Sequence, residues 1–177
     1  MIELSIVILI IGILVAGVTQ SLRLVKRMRI AFASHLTTNS DVNLINDLTM
    51  WLESVQDFAF ATGTNASFDF NSNVYNDVDR PSDQDRIGRW NDESMRNSSS
   101  KKSAIQNNLA LQPKYVENGI NNLPALYFDG SGQGVCMHAP VNIDRAMMPN
   151  LTIFAVYRWT TIETGSKQKL WGSDNGG

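Results

Sequence analysis

Cysteine is almost missing from this chain: of 177 residues only Cys136 carries a thiol. An internal disulfide framework is thereby excluded, whatever compartment the protein occupies. Charge is also sparse, at 18% of residues with a net value of −2. That balance has no cationic excess for a nucleic-acid backbone, so nucleic acid is not an expected partner. There are two histidines, His35 and His138. Neither stands beside a motif serine or cysteine, so the base of a nucleophile triad is missing. Cys136 with His138 is too small a set for a metal site. No paired-carboxylate motif of glycoside hydrolysis is found either, and no enzyme activity is expected.

Between Leu4 and Val18 charge is absent altogether, and Ser5 is the one polar side chain. Carried on to Leu22, the run has a helical length of about 28 Å, close to a hydrocarbon core of about 30 Å. Ile, Val and Leu dominate it and no proline interrupts it. A buried strand this apolar would stop after about 4–8 residues. A membrane span is expected. A cleavable signal peptide would want a basic stretch before the apolar run and a small-residue cleavage site after it. Here nothing basic precedes Ile2, and Leu22-Arg23-Leu24-Val25-Lys26-Arg27 follows.

At about 100° per residue, Ser5, Gly12, Ala16 and Thr19 fall on one line that Arg23 continues. Small residues in a row let another helix approach closely in lipid, although Gly and Ala are also common in spans generally. Glu3 lies on the opposite side. Beyond the span, Val18, Leu22, Val25, Phe32 and Leu36 share an apolar face, with Arg23, Lys26 and Arg27 across from it and Arg29 as the exception. The spacing predicts an amphipathic stalk continuing to about Leu36, stopped by Asn39-Ser40.

The segment Ile2-Glu3-Leu4-Ser5-Ile6-Val7-Ile8-Leu9-Ile10-Ile11-Gly12-Ile13-Leu14 closely resembles the N-terminal signature of type IV pilins and type II secretion pseudopilins. The resemblance covers roughly the first 30 residues. It implies processing by a prepilin peptidase, extraction from a bacterial inner membrane and packing of the helix into a filament core. Glu3, Ser5, Gly12 and Ala16 are the assembly residues it points to. A carboxylate at the start of an apolar helix seeks a cation or a proton. In the family the matching glutamate is held to neutralise a neighbouring subunit's N-terminal amine and fix axial register. A helix N-terminus also favours a carboxylate through its macrodipole. The family's leader and Gly-Phe junction do not precede the motif, so Met1 is expected to be internal to it. Arg23, Lys26, Arg27 and Arg29 after the span would by charge alone place the following domain in the cytoplasm. The resemblance places that domain outside it, single-pass, and is followed here.

After the stalk the periodicity changes. Leu48–Leu52 reads as a short strand or a helix end. Ala125–Phe128 and Leu151–Tyr157 read as strands, rich in β-branched and aromatic residues. Asn118-Gly119, Asp129-Gly130-Ser131-Gly132 and Gly165-Ser166 read as turns. Such punctuation argues for an antiparallel sandwich. Trp51-Leu52-Glu53, Trp90-Asn91-Asp92 and Gln112–Ser131 together resemble the first half of a concanavalin A-like lectin/glucanase domain of laminin-G type. That resemblance implies a jelly-roll sandwich over about residues 46–160, with its closing strands missing at the C-terminus. The expected organisation is a pilin-like transmembrane and stalk helix at 1–38 and a partial all-β jelly-roll at 39–177. An Asn/Asp/Ser-rich insertion is expected at about 62–108.

Asp69, Asn71, Asn73, Asp77, Asp79, Asp83 and Asp85 make an oxygen-rich stretch of the kind calcium takes. Val74 stands at the EF-hand glycine position and Arg80 at the terminal glutamate, and solvated surface loops have the same composition. No cofactor is expected, and calcium is the one cation this stretch suits. Trp51, Trp90 and Trp171 suit either sugar stacking or a sandwich core. The expected function is a pilin-like or pseudopilin subunit displaying a lectin-like domain, with membrane and other such subunits as partners. The alternative is a membrane-tethered module that binds glycan or protein without polymerising.

Overall fold

The computed structural model describes residues 2–45, 48–63, 76–78, 80–94, 102–130, 135–139 and 152–160. Helix α1 runs unbroken over Ile2–Thr38, about 55 Å at the usual rise. The absence of proline and the run of Leu, Ile and Val with interspersed Ala explain its continuity. It ends where expected: the Asn39 side-chain amide donates to the His35 carbonyl at 2.8 Å, and the Asn39 N–H to the same carbonyl at 3.1 Å. These bonds satisfy a carbonyl that the next turn would otherwise have served. The helix is long and apolar enough to cross a membrane, and none of its most apolar stretch is covered by other described residues.

Two small antiparallel sheets follow. The first pairs β1 (Phe60–Thr62), β2 (Asn76–Val78), β3 (Arg89–Trp90) and β4 (Ala104–Ile105) in the order β2-β1-β3-β4. The second is the hairpin of β5 (Lys114–Ile120) and β6 (Leu123–Tyr127). The strand expected from Ala125 is therefore part of β6. The turn expected at Asn118-Gly119 is not one: both residues lie within β5. The chain reverses instead at Asn121-Asn122, with φ of 53° and 57°. Asparagine tolerates this left-handed region, and a two-residue hairpin loop requires it at both positions. Gly119 has a packing reason to be glycine: a Cβ there would lie 2.5 Å from the Ala125 Cβ across the hairpin.

Two further expectations fail. The strand expected over Leu151–Tyr157 is not formed at 152–157, where Phe154 and Val156 are 93% and 86% exposed. β-Branched residues favour a strand only against a neighbour, and none pairs with this segment among the described residues. Leu48–Leu52 is neither helix nor regular strand, and Leu52 makes a single bridge to Asp92. Within 62–108 the described residues contribute β2, β3, β4 and the fully buried Ile87.

The core is small and aromatic. Phe60, Ile87, Tyr115 and Ala59 are buried together, with Trp90, Leu126 and Met137 packed on them. Phe60 meets the Tyr115 ring edge-on at 5.6 Å and the Trp90 ring at 5.7 Å, geometries that aromatic quadrupoles favour. Burial pushes the Tyr115 hydroxyl above its ordinary range; Arg80 draws it down and Asp83 adds to the rise.

With strands of two to three residues in the first sheet, side chains supply backbone partners that longer ladders would provide. Asp92, 1% exposed, accepts from the N–H groups of Trp51 at 2.9 Å, Ser94 at 3.0 Å and Lys102 at 2.8 Å. Gln112, equally buried, donates to Gly63 and Gln106 carbonyls at 2.7 and 2.9 Å. Trp90 Nε1 donates to the Glu53 carbonyl at 2.8 Å and Ser54 Oγ to the Pro124 carbonyl at 2.8 Å. The segments 51–53, 90–92 and the hairpin, far apart in sequence, are thus tied at one place. The described residues comprise one long helix and two small sheets.

Candidate functional site: the free helix faces and the junction with the domain

The four residues expected to act in assembly all lie on the free half of α1. Glu3, Ser5, Gly12 and Ala16 are exposed, and a Cβ at Gly12 would meet nothing within 4 Å. No described residue of the chain approaches the stripe at that position. Leu4, Ile8, Leu14 and Val18 are 59–69% exposed, a density of apolar surface that water does not tolerate on an isolated chain.

The domain covers only the second half of the helix, and on an unexpected side. Lys26, Ile30, Ala33, Ser34 and Thr37 are the covered positions, with Ile30 buried to 6%. Their spacing of i, i+4, i+7, i+8 and i+11 is one helical face. Ser34 Oγ donates to Gln56 Oε1 at 2.9 Å, and Gln56 Nε2 donates to the Ser34 carbonyl at 3.2 Å and Thr38 Oγ1 at 3.1 Å. Lys26 pairs with Glu117 of β5. Small and polar residues let the helix backbone approach the loop carrying Gln56, which bulky side chains would prevent.

The apolar face read from the sequence is turned away from the domain. Val18, Leu22, Val25, Phe32 and Leu36 stay 53–65% exposed, and their line lies about 100° around the helix from the covered face. Glu3 falls within about 60° of that apolar line, whereas Ser5, Gly12 and Ala16 continue the covered face toward the N-terminus. The helix therefore presents two uncovered surfaces: an apolar stripe interrupted by Arg29 with Glu3 at its far end, and a small-residue stripe.

A cleft of about 710 Å³ opens where helix and domain part, lined by Arg23, Lys26, Arg27, Ile30, Arg80 and Glu117 among others. Two of its cations are neutralised: Lys26 by Glu117, and Arg80 by Asp57 at 2.7 Å. Arg23 and Arg27, one helical turn apart on the cleft side, form no ion pair among the described residues.

The remaining sequence candidates are used structurally or lie elsewhere. Asp83 accepts from the Glu117 N–H at 2.9 Å and Asp85 from the Ser82 N–H at 2.7 Å. Asp77 lies in β2, and Asp69, Asn71, Asn73 and Asp79 lie outside the described residues, as does Trp171. Among the described residues no three His, Cys, Asp or Glu side chains converge on a metal position. Trp90 is half-buried, packed against the core with its indole nitrogen satisfied. Cys136 and His138 approach to 3.7 Å on an exposed segment, without a third ligand.

Sequence reasoning missed the covered face and Asp92. The first had a signal, since small or polar residues recur at helical spacing from Lys26 to Thr37. The second had none: a carboxylate after Trp-Asn does not announce that three distant N–H groups converge on it. Burial alone would raise the Asp92 carboxyl, but the backbone N–H groups of Lys102, Trp51 and Ser94 outweigh it and hold it below the usual carboxylate range. Comparison with protein-family models, with curated proteins and with solved structures finds no match to this chain.

Proposed function

We propose that this protein is a membrane-anchored, pilin-like subunit that polymerises through α1 and displays its β domain outside the membrane. The observation carrying the reading is the division of the helix. Its first half is apolar and wholly free, and its second half keeps an apolar stripe on the side away from the domain. A surface of this kind is stable only against lipid or against other apolar helices. The stripe extends from the span past Leu22 to Leu36, beyond the reach of a bilayer that ends near Arg23, so lipid covers only part of it. Like helices of other copies would cover the rest.

Glu3 supplies the register. Within an apolar bundle its carboxylate is costly without a cation or a proton, and the resemblance of residues 2–14 to the pilin and pseudopilin signature supplies a neighbouring subunit's amine. The β domain has the role of the displayed module. The convergence of residues 51–53, 90–92 and the hairpin supports a lectin-like sandwich, and a ligand for it would be glycan or protein.

Glu3→Ala tests the reading. Membrane insertion, followed by carbonate extraction, is expected to be unchanged because the apolar run is intact. Co-assembly with wild-type subunits, followed by pull-down of a tagged copy, is expected to fall at least about tenfold for loss of a charge pair in apolar surroundings. Unchanged assembly would remove the register role and favour the tethered, non-polymerising module.

A further inference from the structure

We infer that the cleft between α1 and the β domain binds the phosphodiester headgroup of an anionic phospholipid. Position comes first. Arg23 lies twenty residues beyond Glu3, about 30 Å along the helix, which is the thickness of the hydrocarbon core. With the span centred in a bilayer, the cleft opens at the level of the headgroups. Charge comes second. The cleft gathers Arg23, Lys26, Arg27 and Arg80 against Glu117 and Asp57. Lys26 and Arg80 are already engaged by those two acids, so the unbalanced charge belongs to Arg23 and Arg27. These stand at i and i+4, on one side of the helix, and two planar guanidinium forks match the oxygens of a phosphate better than ammonium groups do. Shape comes third. Leu24 flanks the arginines on the membrane side, and exposed Leu22, Val18 and Val15 continue from there toward the middle of the span. A lipid seated by its phosphate can therefore run its acyl chains along apolar helix surface into the bilayer. A soluble anion would leave that surface unused.

The inference rests on the membrane-anchored part of the proposed function and not on polymerisation. The test uses the full chain in neutral detergent micelles, with native mass spectrometry counting retained ligand. Phosphatidylglycerol, phosphatidylcholine and inorganic phosphate are added in separate arms. The wild type is expected to retain one phosphatidylglycerol and to prefer it over phosphatidylcholine by about tenfold or more. Arg23→Gln with Arg27→Gln is expected to weaken that binding on the order of 25-fold, about fivefold for each arginine at an anionic headgroup. Arg29→Gln, outside the cleft, is expected to change it by less than about twofold. Glu117→Gln frees Lys26 and is expected to strengthen retention, a direction that misfolding does not produce. Equal losses from Arg29→Gln and Arg27→Gln would overturn a built cleft in favour of a diffuse belt of cations. Retention of inorganic phosphate with the same affinity as phosphatidylglycerol would overturn the lipid assignment. Carbonate extraction of the wild type from pure phosphatidylcholine vesicles reports anchoring separately. Failure there would strike the membrane reading, whereas failure of the lipid preference alone would strike only the cleft.

Discussion

Asp92→Ala is expected to destabilise the β domain strongly while leaving α1 helical. The substitution removes the acceptor shared by Trp51, Ser94 and Lys102. A buried donor left without a partner costs about 1–3 kcal/mol; with the Trp51 and Lys102 bonds only part-buried, the three together fall in the lower part of the summed range, on the order of 3–5 kcal/mol. Domains of this size have about 5–15 kcal/mol in hand, and strands of two or three residues offer little else to hold these segments. Thermal unfolding followed by tryptophan fluorescence, which reports the Trp90 environment, should shift down by more than about 10 °C. A loss below about 1 kcal/mol would mean that the carboxylate does not staple the domain.

The same carboxylate sets an acid limit. Its folded pKa is depressed, below the ordinary value of about 3.9. A depressed acid contributes stability that is fully present above its unfolded pKa and is lost as pH falls through its folded pKa. The wild-type domain should therefore be insensitive to Asp92 protonation at neutral pH and lose stability below about pH 4. In the alanine variant that component of the acid dependence should vanish.

The second large effect concerns the apolar stripe. Phe32 is 65% exposed and lies on the side of α1 away from the domain. Phe32→Asp removes no packing within the subunit, and its effect on the domain's melting should stay within about 0.5 kcal/mol. In an assembled state the same carboxylate would be carried into an apolar helix interface, at a cost of several kcal/mol. Co-assembly with wild-type copies is expected to fall below detection, with membrane insertion intact because residue 32 lies about 15 Å beyond the end of the span. Melting lowered by several degrees would show instead that Phe32 serves its own domain.

Much of the helix was legible from residues alone, because periodicity along one continuous element needs no knowledge of the rest of the chain. Its length, its stop at Asn39 and the placement of Arg23, Lys26 and Arg27 opposite the apolar stripe all follow from a 100° step. Which face the domain covers did not follow. Hydrophobicity pointed to Val25 and Phe32, whereas the structure docks Lys26, Ile30 and Ser34, chosen by close approach and by the partners Gln56 and Glu117. In the domain, aromatic and β-branched composition placed a strand at Ala125–Phe128, which overlaps β6, and left Trp90 open between core and sugar stacking, but misled at Thr152–Tyr157, since strand preference depends on a neighbour that sequence does not name. The turn at Asn121-Asn122 was overlooked in favour of Asn118-Gly119, where the glycine instead serves the approach of Ala125. Asp92 was quoted as part of a motif, yet its three N–H partners come from positions 51, 94 and 102, a convergence only the fold creates.

Copies of this protein are proposed to meet along the stripe on α1 away from the domain. Photocrosslinking addresses it most directly, with p-benzoylphenylalanine placed at Phe32 in one sample and at Thr37, on the covered face, in another. A ladder of copy-to-copy adducts is expected from position 32 after irradiation of intact membranes, and only intramolecular adducts from position 37. Adducts from position 32 that contain lipid alone, or a ladder arising from position 37 instead, would contradict it.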